Sequence, residues 1–455
     1  MAQMKQQTTS EYILNTSRDY SIYVCQNRGI PSVSDGLKDS QRKALFILKR
    51  VSGEIKTISL VGNLISSNLY LHSDSSAADM ISLMAAPYAN NITLMQGIGS
   101  FGTRVGPNDW GAPRYTYVQK SNYTEQLVYT DYDIIPMKEN YDGSVLEPVH
   151  FLPLVPMVLL NGVSGIAVGW STDILPHRLS DIVDATIAAI DGKKWEPLKP
   201  CFEYLDCQVK TLSENSWEFT GKVRKDGNVI WVEELPPDLS LEKFKARLND
   251  MEDADAIANY VDRSTDHIKI EIKFKRGVID KWSIDDCINY LKLRTKASQR
   301  LVVLDWDGTN IRQFANTTEL ITEFVKWRLR FYVKRYEKLI KDLTVDLNFN
   351  LALKLCYEQK LPEFLPKAAD RSGVMTQVKN IVGTRVVLTL DQYDRIVGLP
   401  SYRWAKNGYQ EVVDRVRALE GEIAGYQKIL SDPAAIKKIY KTEVTALKKL
   451  PKLAR

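Results

Sequence analysis

The 455-residue chain has no cysteine pair at redox or ligand spacing: Cys25, Cys201, Cys207, Cys287 and Cys356 are scattered and odd in number, with no Cys/His pattern among them. That argues against a disulfide or zinc framework and leaves buried, reduced thiols of a cytosolic protein as the expectation. No Gly-x-x-x-x-Gly-Lys-Ser/Thr is present, so the common nucleotide-phosphate loop is missing. Bulk charge is missing too. With 61 Lys+Arg against 56 Asp+Glu the net is only +5, and any contact with nucleic acid has to come from local clustering. Met1–Ser10 is polar, without the apolar stretch of a secretory signal. The run from His150 to Trp170 has no formal charge apart from a proton on His150, but Pro153, Pro156, Asn161-Gly162 and Gly165 cut it into short strands and turns. No membrane association is expected.

What is present is ordinary in bulk, 44% apolar and 26% charged, and long enough for several cores. The stretch that stands out is Asp109–Val118, where a Gly/Pro-rich loop delivers Arg114-Tyr115 onto an alternating, strand-like run. A tyrosine oxygen is a poor nucleophile at neutral pH because its reference pKa is about 10, so it needs a partner that stabilises the phenolate or takes its proton. Arg114 brings a permanent positive charge, and a guanidinium can clamp a phosphate through two parallel hydrogen bonds. The competing reading is a packing tyrosine, one of 22, with its hydroxyl tied to some acceptor.

The spacing predicts a helix over Tyr12–Arg28 that stops at Gly29-Ile30-Pro31, and a second opening at Asp35-Gly36 with Leu37, Ala44, Leu48 and Val51 on one face. Lys38, Arg42 and Lys49 fall on another face. Such a basic stripe suits either phosphates or plain solvent. Further helices are expected over Ile58–Asn68 and Ser75–Ala89, followed by the glycine-rich turn Gly97–Gly102, an order that fits a winged-helix DNA-binding module. From Leu179 to about Arg312 the pattern turns mixed, with strands at Trp217–Val223, Val229–Glu233 and Ile268–Phe274 and a helix at Leu241–Leu248 after Pro236-Pro237. The last third is helical. Asn316 and Glu319 cap a stripe of Leu320, Phe324, Trp327 and Phe331, continued by Tyr332, Tyr336, Leu339 and Leu343. Val412, Val416, Leu419, Ile423, Tyr426 and Leu430 make a later stripe, so an antiparallel coiled coil with a small knob around Ile396–Trp404 is expected, or else a plain core helix pair. After Asp432-Pro433 a final helix carries Ile436, Tyr440, Val444 and Leu447 on an apolar face, among Lys437, Lys438, Lys441, Lys448, Lys449, Lys452 and Arg455.

Five motifs in order then resemble the DNA-cleaving part of type II DNA topoisomerases. They are Arg28–Phe46 with its Asp35-Gly-Leu-Lys38 and Gln41-Arg42-Lys43, Tyr70–Asp74, Gly99–Gly102, Pro113-Arg114-Tyr115, and Pro156–Pro176 containing Asn161-Gly162-Val-Ser-Gly165-Ile166. The compact length and the wording around Asn161 look most like bacteriophage members. Three positions depart from the pattern. Tyr70 stands where the first of two histidines is usual, leaving His72 alone; Ser100 replaces an asparagine; and Pro113 replaces a small residue.

The resemblance implies an α+β multidomain fold. It would comprise a winged-helix breakage-reunion domain over 1–145, an α/β tower over 146–315, and a long antiparallel coiled coil with a dimerising exit gate over 316–455. It implies Tyr115 as the nucleophile that forms a 5′-phosphotyrosyl link, Arg114 as charge stabiliser, and His72 as either proton handler or second stabiliser. Arg28, Lys38, Arg42 and Lys43 would meet DNA, and Ile166 would wedge between base pairs. Composition alone would put Ile166 in a core. The acidic set by which the family binds magnesium is absent; Asp305-Trp-Asp307-Gly308 is its nearest match and reads as a turn. Mg2+ and ATP are therefore expected on a partner subunit, alongside double-stranded DNA and a second copy of this chain, in the cytoplasm, host cytoplasm if the chain is phage-encoded. Relaxation or decatenation is expected rather than negative supercoiling. The rival expectation is a non-catalytic architectural DNA-binding protein on the same scaffold.

Overall fold

The computed structural model describes residues 8–450. The polar start Met1–Gln7 and the terminal Lys452 and Arg455 lie outside them. Helix α1 (Thr9–Val24) opens with a reciprocal cap, in which Thr8 Oγ1 accepts from Glu11 N and the Glu11 carboxylate accepts from Thr8 N at 3.0 Å. It widens into a π turn, Cys25–Gly29, before Ile30-Pro31. Helix α2 (Asp39–Lys49) buries Ala44 and Leu48 completely, as its spacing predicts, and Leu45 with them, while Val51 falls past its end and is half-buried. Strand β1 (Ile55–Lys56) leads into α3 (Thr57–Ser66), and α4 (Asp74–Ala85) starts where Ser73 Oγ accepts from Ser76 N. Strands β2 (Met95–Ile98) and β3 (Tyr117–Lys120) complete a small antiparallel sheet with β3 central, and Val118 is its fully buried pivot.

A short hairpin, β4 (Met137–Glu139) and β5 (Leu146–Pro148), precedes the uncharged run. That run is indeed broken. Most of residues 151–160 are buried coil and a 3-10 turn, and then β6 (Val163–Ala167) and β7 (Trp170–Ile174) form a hairpin whose tip needs Gly169 at φ 76°. No helix among the described residues is long and apolar enough to cross a membrane.

After α5 (Leu179–Ile190) come β8 (Gln208–Ser213), β9 (Ser216–Thr220), β10 (Lys222–Asp226) and β11 (Val229–Glu234). The single strand expected over Trp217–Val223 is therefore two. They part at Gly221, whose N–H donates to Leu293 O at 2.9 Å and whose missing Cβ lets Glu234 O approach. Helix α6 (Leu241–Asp253), strands β12 (Asn259–Asp262) and β13 (Ile270–Lys273), helix α7 (Ile284–Tyr290) and strand β14 (Arg294–Ser298) follow. One sheet runs β10-β11-β13-β12 and another β14-β9-β8. Ile230, Val232, Ile270 and Ile272 share a core with Phe244 and Leu248 of α6 and with Cys287 of α7. The last hairpin is β15 (Leu301–Leu304) with β16 (Ile311–Phe314); the Asp305 carboxylate between them accepts from Thr309 N and Asn310 Nδ2, as a turn residue does.

The chain divides into two compact units, Met1–Arg328 with Lys441–Arg455, and Leu329–Tyr440. Helix α8 (Thr317–Glu358) runs from the first into the second, capped by Asn316, with Leu320, Phe324 and Trp327 buried. Within the second unit α8 lies antiparallel to α12 (Lys406–Ser431): Tyr336 meets Tyr426, while the later Leu353 and Cys356 share a core with the earlier Val412 and Val416. Leu339, expected in the seam, is exposed. The knob is larger than Ile396–Trp404. It begins at α9 (Leu361–Phe364) and includes α10 (Arg371–Val382) and α11 (Leu390–Val397), whose Val378, Val382 and Ile396 fill that same core. In the final helix α13 (Pro433–Ala446), Ile436, Tyr440 and Val444 are buried as the pattern predicts. Two lysines of this tail are ion-paired, Lys441 of α13 with Asp191 and Lys448, in the 3-10 turn after it, with Asp184 of α5.

Candidate functional site

An α-helix begins with backbone donors that have no partner inside the helix. In α3 no side chain caps them; the loop before β3 does it with its carbonyls. Thr57 N donates to Thr116 O and Ile58 N to Pro113 O, each at 3.0 Å, and the buried Thr57 and Thr116 hydroxyls pair at 2.8 Å. Arg114-Tyr115 sits between those two anchors. Tyr115 N closes a turn onto Ala112 O at 2.8 Å, and Gly111 N donates to Ser100 O at 2.9 Å. The mount is fixed while the side chain is free: Tyr115 is 69% exposed, and among the described residues its hydroxyl has no hydrogen-bond partner. The Arg114 guanidinium lies 4.7 Å from the centre of the Tyr115 ring. Among the described residues Arg114 has no ion pair. A guanidinium so placed can bind a phosphate brought to the phenol.

His72 sits in a second group. Arg28 Nη2 donates to its Nδ1 at 2.9 Å, and the Tyr23 hydroxyl is 3.2 Å from its Nε2. A guanidinium can only donate, so Nδ1 accepts and a neutral ring carries its proton on Nε2, aimed at Tyr23. Burial first, then the charges of Arg28 and Lys43, hold the His72 pKa below its ordinary value. Tyr70 packs edge-on to the ring at 5.3 Å. Sequence reading located His72, and Tyr70 by its departure from the pattern. It missed Tyr23, which gave no signal beyond its place in an exposed helix.

The basic stripe of α2 is corrected. Arg42 is 6% exposed and grips Asp35 through two bonds of 2.6 and 2.9 Å, with a third to Leu37 O. Burial works against its charge, yet Asp35, Asp39 and Glu147 keep its pKa above the ordinary value. Lys43 is likewise enclosed, paired with Asp39 at 2.8 Å and Glu147 at 3.0 Å. Lys49 pairs with Glu125 at 2.9 Å. Arg42 and Lys43 are thus spent inside the fold and do not face outward, while Lys49 is half-buried and held by its carboxylate partner. Lys38 differs: its Nζ donates to Ser164 O at 3.0 Å, tying the start of α2 to β6, and burial lowers its pKa.

Ile166 is 85% exposed on the β6–β7 hairpin, where a core residue would be covered. The hairpin presses on the turn that carries Arg28: a Cβ on Gly29 would strike Ala167, and one on Gly165 would strike the Gly29 carbonyl. The Arg28 turn thus touches both His72 and the Ile166 hairpin, and Lys38 touches that hairpin at Ser164, while Arg114-Tyr115 is mounted on the start of α3. No three His, Cys, Asp or Glu side chains gather to hold a metal among the described residues. The side chains in contact with Tyr115 and His72 are cationic or neutral, and the carboxylate whose charge reaches His72, Asp39, is already paired with Lys43 at 2.8 Å, a donor set that does not suit magnesium.

Residues 28–445 match the A-subunit family of DNA gyrase/topoisomerase IV. The chain belongs to that family. It is 26% identical over 441 residues to the DNA topoisomerase medium subunit of Enterobacteria phage T4, covering 92% of this chain and 95% of that one. It is 32% identical over 328 residues to a putative mitochondrial DNA topoisomerase 2 of Caenorhabditis elegans, and 30% over 364 to DNA topoisomerase 2 of Bombyx mori. Those matches cover 68% and 77% of this chain but only 28% and 23% of the relatives' own length.

Proposed function

We propose that this chain is the DNA-cleaving and rejoining subunit of an ATP-dependent type II topoisomerase. The observation that carries the reading is the exposed Tyr115 phenol, held beside Arg114 on a loop anchored to α3. In the reaction, the Tyr115 oxygen bonds to a backbone phosphorus as the P–O3′ bond breaks, giving a 5′-phosphotyrosyl link and a free 3′-hydroxyl. The phenol gives up its proton and the leaving oxygen gains one. Reversal needs no nucleotide because the phosphoester is kept. Arg114 stabilises charge on the pentavalent phosphate. His72, with Nδ1 occupied by Arg28, acts as a donor through Nε2 and not as a base. Arg28 and Lys38 contact phosphates, and Ile166 enters the base stack.

The helices and small sheet up to residue 145 act as the winged-helix breakage-reunion domain, 146–315 as the tower, and 316–455 as the coiled coil with a dimerising exit gate. Two copies cut the two strands, the twofold axis of the pair matching that of the duplex. ATP and magnesium belong to a partner subunit, since the donors here are unsuited to the metal; magnesium would supply charge neutralisation at the phosphate. The assembly relaxes or decatenates DNA in the cytoplasm. The test is trapping: with partner, magnesium and DNA, denaturant should capture a covalent adduct from wild type and none from Tyr115→Phe. Loss of the adduct from Tyr117→Phe alone would identify the wrong tyrosine, and no adduct under any condition would favour the architectural reading.

A further inference from the structure

The hairpin that carries Ile166 also carries a fixed positive charge. Residues directly opposite in an antiparallel pair project to the same face. Ile166 pairs with Ser171, so the isoleucine and the serine hydroxyl share a face. Arg300 Nη1 donates to that hydroxyl at 3.0 Å. Its backbone is bridged to β7: Arg300 N donates to Asp173 O at 2.8 Å, and Arg300 O accepts from Asp173 N at 3.2 Å. The guanidinium is therefore tied to the wedge through both main chain and side chain. Arg300 is exposed, and among the described residues no carboxylate pairs with it. Beside it opens a groove of about 500 Å³ lined by Trp170, Gln313 and Val302, with no acidic group in its wall. Trp170 itself is 45% exposed.

We propose that Arg300 is an anchor for the DNA phosphate next to the base step that Ile166 enters, with Trp170 covering the adjoining sugar. The proposal rests on the reading of Ile166 as a wedge. Unstacking a step is costly, and a bend persists only if flanking contacts hold the strand against the protein. An arginine already fixed by a backbone bridge loses little freedom on taking a phosphate, and its planar fork suits that group. Asp173 shares only backbone bonds with Arg300, so its carboxylate does not already occupy the guanidinium.

The experiment uses the full chain and a duplex labelled at both ends, reading bend angle by energy transfer and affinity as a function of salt. Arg300→Gln keeps a donor for Ser171 and removes the charge. It should lower the log-log salt slope by about one counterion, weaken binding several-fold at low salt with a smaller deficit at high salt, and reduce the bent fraction. Ile166→Ala should remove the bend with the slope unchanged. If Arg300→Gln matches wild type in slope and bend while Ile166→Ala straightens the DNA, the anchor is refuted and the wedge stands. If the slope falls but the bend does not, Arg300 touches phosphate without serving the wedge, and the proposal fails in that form. If Ile166→Ala bends DNA as wild type does, the wedge reading itself is wrong.

Discussion

Arg28 Nη2 donates to His72 Nδ1 at 2.9 Å, which settles the tautomer of a histidine 44 positions away. The pairing makes His72 a donor, with opposite pH behaviour from a base. Its pKa is lowered from the ordinary value, chiefly by burial, so it is neutral at pH 7 and charges only on acidification. Adduct formation limited by His72 should hold or rise as pH falls below 6, where a base would lose rate. His72→Gln, which can still place an N–H near Nε2, should retain more activity than His72→Ala, which should fall about 10²-fold or more. Equal losses in both variants, with a rate that declines into acid, would restore the base.

Arg42→Ala should act on stability and not on DNA contacts. It strands Asp35, whose side chain is fully buried, and removal of one partner from such a pair costs about 3–5 kcal/mol. Urea unfolding should show that loss, while the salt slope of DNA binding by the folded fraction stays at the wild-type value. Arg28→Ala and Lys38→Ala should each lower the slope by roughly one counterion.

Arg42 also marks the boundary of what sequence could tell. Periodicity reports which residues share a helix face, and it placed Ala44, Leu48, Leu320, Phe324 and Trp327 correctly in cores. It cannot report that the other face meets Asp35 and Glu147, the latter more than a hundred residues on. The same blindness hid Tyr23 from His72. The knob was underdrawn because its apolar residues are shared among helices of 4, 12 and 8 residues, too short for a long stripe. The glycine- and proline-rich frame of Tyr115 marked a loop but left a packing tyrosine equally open, so the roles expected of Tyr115 and Ile166 alike came from the family resemblance; their exposure, 69% and 85%, is what the structure adds.

The mount of Tyr115 can be loosened without touching the phenol. Thr57→Val leaves the buried Thr116 hydroxyl unpaired, at about 1–3 kcal/mol. Adduct yield should drop with DNA binding preserved. Adding Thr116→Val removes the orphan, and the double variant should recover stability relative to Thr57→Val. No recovery would mean that the hydroxyl pair is not what holds the loop.

His150 and His177 are both buried, and burial lowers each pKa from 6.5 to about 4. Between those values the unfolded chain binds protons that the fold excludes, so stability is full above pH 6.5 and declines as pH falls. By pH 5 each histidine should remove roughly 2 kcal/mol. Urea titrations at pH 7, 6 and 5 should show His177→Gln losing less over that interval than wild type; parallel losses would remove His177 from the effect.

The most direct measurement is made on the trapped adduct itself. After nuclease and protease digestion, mass spectrometry should find the residual nucleotide on the peptide that contains Tyr115, and end-labelled DNA should show the protein on the 5′ phosphate with the 3′ end free. A nucleotide on any other residue, or a 3′ linkage, would contradict the account.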